Sequence, residues 1–121
     1  MNLAGPPPSP DQRRSRRFPR YRTQLDVSVQ VLGPDGHFQV NGLCNQIGEG
    51  GLGAIIGSEL TVGEMVNLQL LMPGMPQPVS LRAVVRWRDR LQHGFEFFGT
   101  PSEDRAKIHD YCKDLSEEHR I

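Results

Sequence analysis

Apolar and polar residues alternate strictly from Leu25 to Val31. This pattern predicts a strand with one buried and one exposed face, as in an antiparallel sheet. The composition of residues 33–36 predicts a turn after this strand. Further strands are predicted at 38–43, 52–56, 65–71, 79–87 and 93–98. Many short strands, frequent Gly and Pro, and the lack of a strand–helix–strand rhythm favour a small antiparallel β-barrel over a parallel sheet.

The C-terminal part of the chain changes to a helical period. Thr100 is predicted as the N-cap, Pro101 as the first helical residue and Glu103 as the third. After them the apolar residues recur at helical spacing: Ile108, Tyr111, Cys112 and Leu115. The sequence therefore predicts a single C-terminal helix that packs against the barrel or covers one of its mouths.

The length of 121 residues suits one domain with a modest core. We expect a disordered Pro-rich leader at 1–12, an arginine arm at 13–24, the barrel at 25–99 and the helix at 100–118. No segment approaches the ~18 continuous apolar residues that a membrane span requires. The start of the chain lacks the apolar stretch of a signal peptide. Cys44 and Cys112 have no CxxC spacing, so we expect a reducing, cytoplasmic location.

No pattern in the sequence predicts an enzyme. The four histidines lack a metal-ligand spacing, and the serines lack a nucleophile-elbow context. Gly48–Gly53 matches GxGxxG, but a dinucleotide-binding fold needs a strand before this motif and a helix after it. We interpret the segment as a bend that enters a strand at positive φ, with backbone N–H groups that can face an anion. Neither catalysis nor a cofactor or metal is expected.

The basic residues are concentrated near the N-terminus. Six of them fall within ten positions: Arg13, Arg14, Arg16, Arg17, Arg20 and Arg22. The formal net charge is zero, so this cluster is expected to act locally. Guanidinium groups hydrogen-bond bidentately to phosphates and to the O6/N7 edge of guanine. From the residues alone, binding of an anionic nucleotide and binding of any polyanion, such as nucleic acid, both stay open.

Taken together, these motifs resemble the PilZ family. Arg16-x-x-x-Arg20 resembles the family's RxxxR motif, and Gln46–Gly53 is similar to its second motif, [D/N]xSxxG. Residues 84–87 and 93–97 resemble the family's closing hairpin. The resemblance covers about residues 13–116. It implies a six-stranded antiparallel barrel followed by a helix, with cyclic di-GMP as the ligand and no cofactor.

The resemblance also implies a set of binding residues: Arg16, Arg17, Arg20, Gln46, Gly48, Gly51 and Gly53. Arg16 and Arg20 would contact guanine and phosphate, with Arg17 as a neighbour, and Gly51 would allow the turn. Two positions depart from the family pattern. Gln46 stands at the acid or amide position and keeps an amide. Gly48 stands at the serine position and lacks its hydroxyl, a loss of ~0.5–1.5 kcal/mol for one hydrogen bond.

Three functions follow from these expectations. The first is a cyclic di-GMP receptor, whose arginine arm closes over the nucleotide and whose new surface engages a protein effector. The second is a PilZ-like protein that does not bind nucleotide and acts through protein contacts, in motility or type IV pili. The third is a barrel that uses the arm to bind nucleic acid, which the small number of aromatic residues disfavours.

Overall fold

The computed structural model describes residues 18–33, 36–115 and 117–121, and these residues form a closed antiparallel barrel followed by a helix. The six strands are β1 (Tyr21–Gly33), β2 (Gly36–Gly48), β3 (Gly51–Ile56), β4 (Met65–Leu70), β5 (Val79–Asp89) and β6 (Gln92–Phe97). The helix α1 is Ser102–Asp114, and a short 3-10 helix follows at Glu117–His119. The strands are arranged in the order β1-β2-β3-β6-β5-β4. The predicted barrel with a C-terminal helix is thus confirmed.

The barrel interior is built from the alternating apolar residues of the strands. On β1 the inward side chains are at most 5% exposed: Leu25, Val27, Val29 and Val31. β1 also closes the barrel by pairing with β4, from Val27↔Leu70 to Val31↔Val66. Strand closure leaves no unpaired edge along these segments, and burial of the apolar faces stabilises the fold.

Two strands, β1 and β2, are longer than predicted. β1 begins at Tyr21 rather than Leu25, and β2 continues to Gly48 rather than ending at Leu43. The additional residues pair with each other, with Tyr21 opposite Ile47. This pairing places Arg20 directly before the barrel and beside the end of β2.

The helix lies on the core through the predicted apolar stripe. Ile108 and Cys112 are buried, and Tyr111 and Leu115 pack partly buried against the core. No helix in the described ranges is long and apolar enough to cross a membrane.

The predicted capping box at the start of the helix is wrong by one residue. Pro101 is the N-cap, in an extended conformation, and no side chain caps the helix. Thr100 is therefore outside the helix. The Pro101 carbonyl accepts hydrogen bonds from the backbone N–H groups of Asp104 and Arg105, both at 3.0 Å. Glu103 and Asp104 place negative charge in the first turn, where it complements the helix dipole.

Among the described residues, one polar side chain, that of His93 on β6, is fully buried. Its Nε2 accepts a hydrogen bond from the Leu60 backbone N–H at 3.0 Å, and its Nδ1 donates to the Leu91 carbonyl at 2.7 Å. An imidazole that accepts at Nε2 and donates at Nδ1 is neutral. Burial lowers the pKa of His93 below its ordinary value of 6.5, although the bond to Leu91 opposes this shift.

We expect the protein to lose stability as the pH falls from 7 to 5.5, and His93 to contribute to this loss. Because the pKa is lower in the folded state, the unfolded chain binds more protons below about pH 6.5. For one group, the free energy of unfolding then falls by at most ~1.4 kcal/mol per pH unit. Urea denaturation at several pH values measures this slope. His93→Gln should have a shallower slope of unfolding free energy against pH. Equal slopes for wild type and His93→Gln would contradict the assignment.

Candidate functional site

The predicted site residues that the structure describes lie together on the hairpin formed by β2 and β3. We call this group the hairpin site: Arg20, Gln46, Gly48, Gly51 and Gly53. The two strands pair as Gln46↔Gly53 and Gly48↔Gly51. Arg20 reaches them from the start of β1. Arg16 and Arg17, which the sequence also predicts for the site, lie outside the described residues.

The Arg20 side chain lies across the glycines of the hairpin. A Cβ added at Gly48 would be 2.8 Å from Arg20 Cδ and 3.2 Å from Arg20 Nε. A Cβ added at Gly51 would be 3.0 Å from Arg20 Nη2. The guanidinium therefore extends along the hairpin from Gly48 to Gly51, in space that side chains would otherwise fill.

Gln46 contacts both the arginine and the next glycine. Its Oε1 accepts a hydrogen bond from Arg20 Nη1 at 3.4 Å, a long contact for this type of bond. Its Cγ lies 2.6 Å from where a Cβ of Gly53 would be. The amide that stands at the family's acid or asparagine position thus contacts the arginine.

The glycines of the hairpin do not have the positive φ that the sequence predicted. Among the described residues, the glycines with positive φ are Gly63, Gly74 and Gly99. The prediction of positive φ within Gly48–Gly53 is therefore wrong. Gly51 is the first residue of β3 and directly follows the turn formed by Glu49 and Gly50. The absence of a Cβ serves close approach of other groups rather than backbone bending.

A tryptophan that the sequence did not assign to the site lies in the same row across the sheet. Gln46 is opposite Gly53, Gly53 is opposite Gly94, and Gly94 is opposite Trp87. A Cβ at Gly94 would overlap the Trp87 indole ring, so this ring lies over Gly94. The half-buried indole and the hairpin site therefore share one outer face of the barrel.

Three irregularities in the strand pairing border this row. The register shifts between Arg22 and Leu25 on β1, between Cys44 and Gln46 on β2, and between Val85 and Trp87 on β5. In each case one strand carries an extra residue, as in a β-bulge, and side chains beyond the bulge change face. Cys44 points into the core, and the bulge turns Gln46 to the outside. The bulge on β5 does the same for Trp87.

The C-terminal segment fixes the backbone at Arg20. The N–H of Ile121 donates to the Arg20 carbonyl at 2.8 Å, and Tyr21 pairs with Arg120 in an antiparallel bridge. Arg22 Nη2 donates to the backbone carbonyl of Glu118 at 3.3 Å. The residue that begins the barrel is thus held between β2 and the end of the chain.

The two cysteines near the site are buried free thiols. Burial raises the pKa of Cys44 to about 12 and that of Cys112 to about 11, so both are protonated at neutral pH. Cys44 Sγ donates to the Gln46 carbonyl at 3.3 Å, which supports the bulge. Within the part of the chain that the structure describes, no group of three or more His, Cys, Asp or Glu side chains could hold a metal ion.

Comparisons with known proteins agree with this fold. The family model described as "PilZ domain" matches residues 11–114. No curated protein matches the chain by sequence. Among solved structures, Bacillus subtilis Inhibitor of motility (MotI/DgrA) is similar with a TM-score of 0.67 and 19% identity, covering 88% of this chain and 54% of that one.

Two further solved structures are complexes with cyclic di-GMP. The PilZ domain of YcgR from Escherichia coli has a TM-score of 0.64 and 16% identity, covering 86% of this chain and 93% of its own. MrkH from K. pneumonia has a TM-score of 0.58 and 17% identity, covering 82% and 51%. The chain thus spans about half the length of MotI and MrkH. At these identities the likeness is one of fold.

Proposed function

The chain belongs to the PilZ domain family, and we propose that it is a receptor domain for cyclic di-GMP. The observation that carries this proposal is the position of Arg20. Its guanidinium lies over Gly48 and Gly51 with Gln46 as a hydrogen-bond partner. Arg20 matches the second arginine of the RxxxR motif. Gln46, Gly48 and Gly51 stand at the positions of the second family motif, and Gly51 keeps its residue.

The geometry suits a nucleotide that combines phosphates with flat bases. Arg20 can donate in a fork to a phosphate or to the O6/N7 edge of guanine. The glycines beneath it let the guanidinium lie close to the backbone of the hairpin. The Trp87 indole, at the other end of the row, offers an aromatic surface on which a base can stack.

Arg16 belongs to the proposed site through the family's RxxxR motif, with Arg17 as its neighbour. Arg16 precedes Arg20 by four residues, so an extended chain brings it within about 14 Å of Arg20. We propose that this segment closes over the nucleotide, which adds charge-assisted hydrogen bonds to the ligand. The resulting surface, which includes the exposed face of the ligand, is the one that a protein effector would bind.

Calorimetric titration of cyclic di-GMP into the purified protein tests the proposal, with GTP as the control ligand. We expect selective binding of cyclic di-GMP, and the stoichiometry follows from the same titration. GTP shares the guanine and phosphate groups but lacks the cyclic dinucleotide shape. Equal affinities for both ligands would indicate general anion binding instead of a receptor.

A second candidate function is a PilZ domain that acts through protein contacts without nucleotide. The departures at Gln46 and Gly48 favour it, because the family's serine hydroxyl is missing. Absence of binding at high concentrations of cyclic di-GMP, together with capture of a motility or type IV pilus component, would support this function over the receptor.

A further inference from the structure

The position of the missing serine is occupied by other atoms of this chain. A Cβ at Gly48 would lie 2.6 Å from the Pro19 carbonyl oxygen as well as 2.8 Å from Arg20 Cδ. Cβ atoms in proteins essentially never approach atoms of non-neighbouring residues within 3.0 Å. Residue 48 therefore cannot carry a side chain in this structure unless Pro19 or Arg20 moves.

Neither group has much freedom to move. Proline fixes its own φ, which limits rotation of the chain before Arg20. The Arg20 carbonyl accepts from the Ile121 N–H at 2.8 Å, and its guanidinium contacts Gln46. The nearer contact, the Pro19 carbonyl oxygen, belongs to the backbone, so movement of the Arg20 side chain alone does not relieve the overlap. An added Cβ is thus expected to shift the Pro19–Arg20 backbone and, with it, to displace the Arg20 side chain from the hairpin.

We propose that Gly48 is a positioning residue: it lets the Arg20 side chain lie flat on the hairpin, so restoring the family's serine weakens nucleotide binding. This inference rests on the proposed function for its consequence in affinity. The loss of the family's serine at position 48 is then compensated by a better-positioned Arg20 in the same site. The hydroxyl contact is exchanged for an arginine that is held in place before the ligand arrives, which lowers the entropic cost of binding.

Titration of Gly48→Ser and Gly48→Ala with cyclic di-GMP tests the inference. Both variants are expected to bind about three- to tenfold more weakly than wild type, the range for one lost hydrogen bond. The two losses should be equal, because the Cβ and not the hydroxyl causes them. Gly57→Ser is the matched control: a Cβ there makes an ordinary 3.5 Å contact with Val40 Cγ2, and wild-type affinity is expected. Wild-type or tighter affinity of Gly48→Ser would overturn the inference.

A second measurement needs no ligand and separates this inference from the proposed function. The NMR signal of the Arg20 Nε–Hε group reports the surroundings and mobility of the side chain in the free protein. Both Gly48 variants should shift this signal and increase its mobility, while Gly57→Ser leaves it unchanged. If wild type fails to bind cyclic di-GMP, the receptor proposal fails and this signal alone decides the positioning role. An unchanged Arg20 signal in Gly48→Ser and Gly48→Ala overturns it.

Discussion

Replacing Arg20 with alanine is expected to lower the affinity for cyclic di-GMP by roughly a hundredfold, equivalent to about 3 kcal/mol. Hydrogen bonds to a charged group contribute about 1.5–3 kcal/mol each, and a guanidinium fork makes two of them. The variant also removes the side chain that covers Gly48 and Gly51 and leaves Gln46 without this donor. Calorimetric titration of the variant measures the loss.

Two further variants show whether the loss reflects the guanidinium itself. Arg20→Lys keeps the positive charge but not the planar fork, so an intermediate affinity is expected. Arg82→Ala removes an exposed arginine from β5, where its register partner is Asn67 on β4, and should bind like wild type. If Arg20→Ala binds as tightly as Arg82→Ala, Arg20 is not a ligand contact and the assignment of the hairpin site is wrong.

The barrel could be predicted from the sequence because its signals are local. The alternation from Leu25 to Val31 has the period of a strand, and the side chains it marks as inward are buried. The apolar stripe of the C-terminal helix is equally local, and the structure confirms it through Ile108 and Cys112. The helix start differed because a proline in an extended conformation can itself be the N-cap, which the spacing of Thr100 and Glu103 does not reveal.

The site could be predicted only as a list of residues. The motifs named Arg20 and Gln46, but their contact depends on the bulge at residue 45 of β2, and an extra residue in a strand has no periodic signature. Trp87 was missed as a site residue for the same reason. Its position over Gly94 depends on the bulge on β5 and on the register of the β5–β6 hairpin. The sequence did offer one signal: Gly94 lies inside a predicted strand, where a glycine can indicate close approach of another group such as Trp87.

The glycines show most clearly what a sequence leaves open. A Gly-rich segment is compatible with a turn, with positive φ or with close approach of distant groups, and composition does not separate these. The groups that approach Gly48 and Gly51 come from Pro19, Arg20 and Phe95, which are far away in the sequence. Only the fold brings them together.

Gly51→Ala is accordingly expected to lower the free energy of unfolding by about 2 kcal/mol, within the range for overpacking a well-packed interior. The new Cβ would overlap the carbonyl oxygen of Phe95 on the neighbouring strand. Gly51 and Phe95 belong to the paired strands β3 and β6, where Gly51 is opposite Glu96 and Leu52 is opposite Phe95. The backbones of β3 and β6 cannot move apart without loss of the hydrogen bonds between them. Urea denaturation of wild type and variant measures the difference.

Gly57→Ala distinguishes this steric effect from the general effect of replacing glycine. Gly57 also has no positive φ, and the nearest side-chain atom to its added Cβ is Val40 Cγ2 at 3.5 Å. Alanine is therefore accepted there, and the expected change is within about 0.5 kcal/mol or slightly stabilising, since glycine adds entropy to the unfolded chain. Equal stabilities of the two variants would mean that β3 and β6 can separate at Gly51 without cost. Close approach would then not be the reason for glycine at the start of β3.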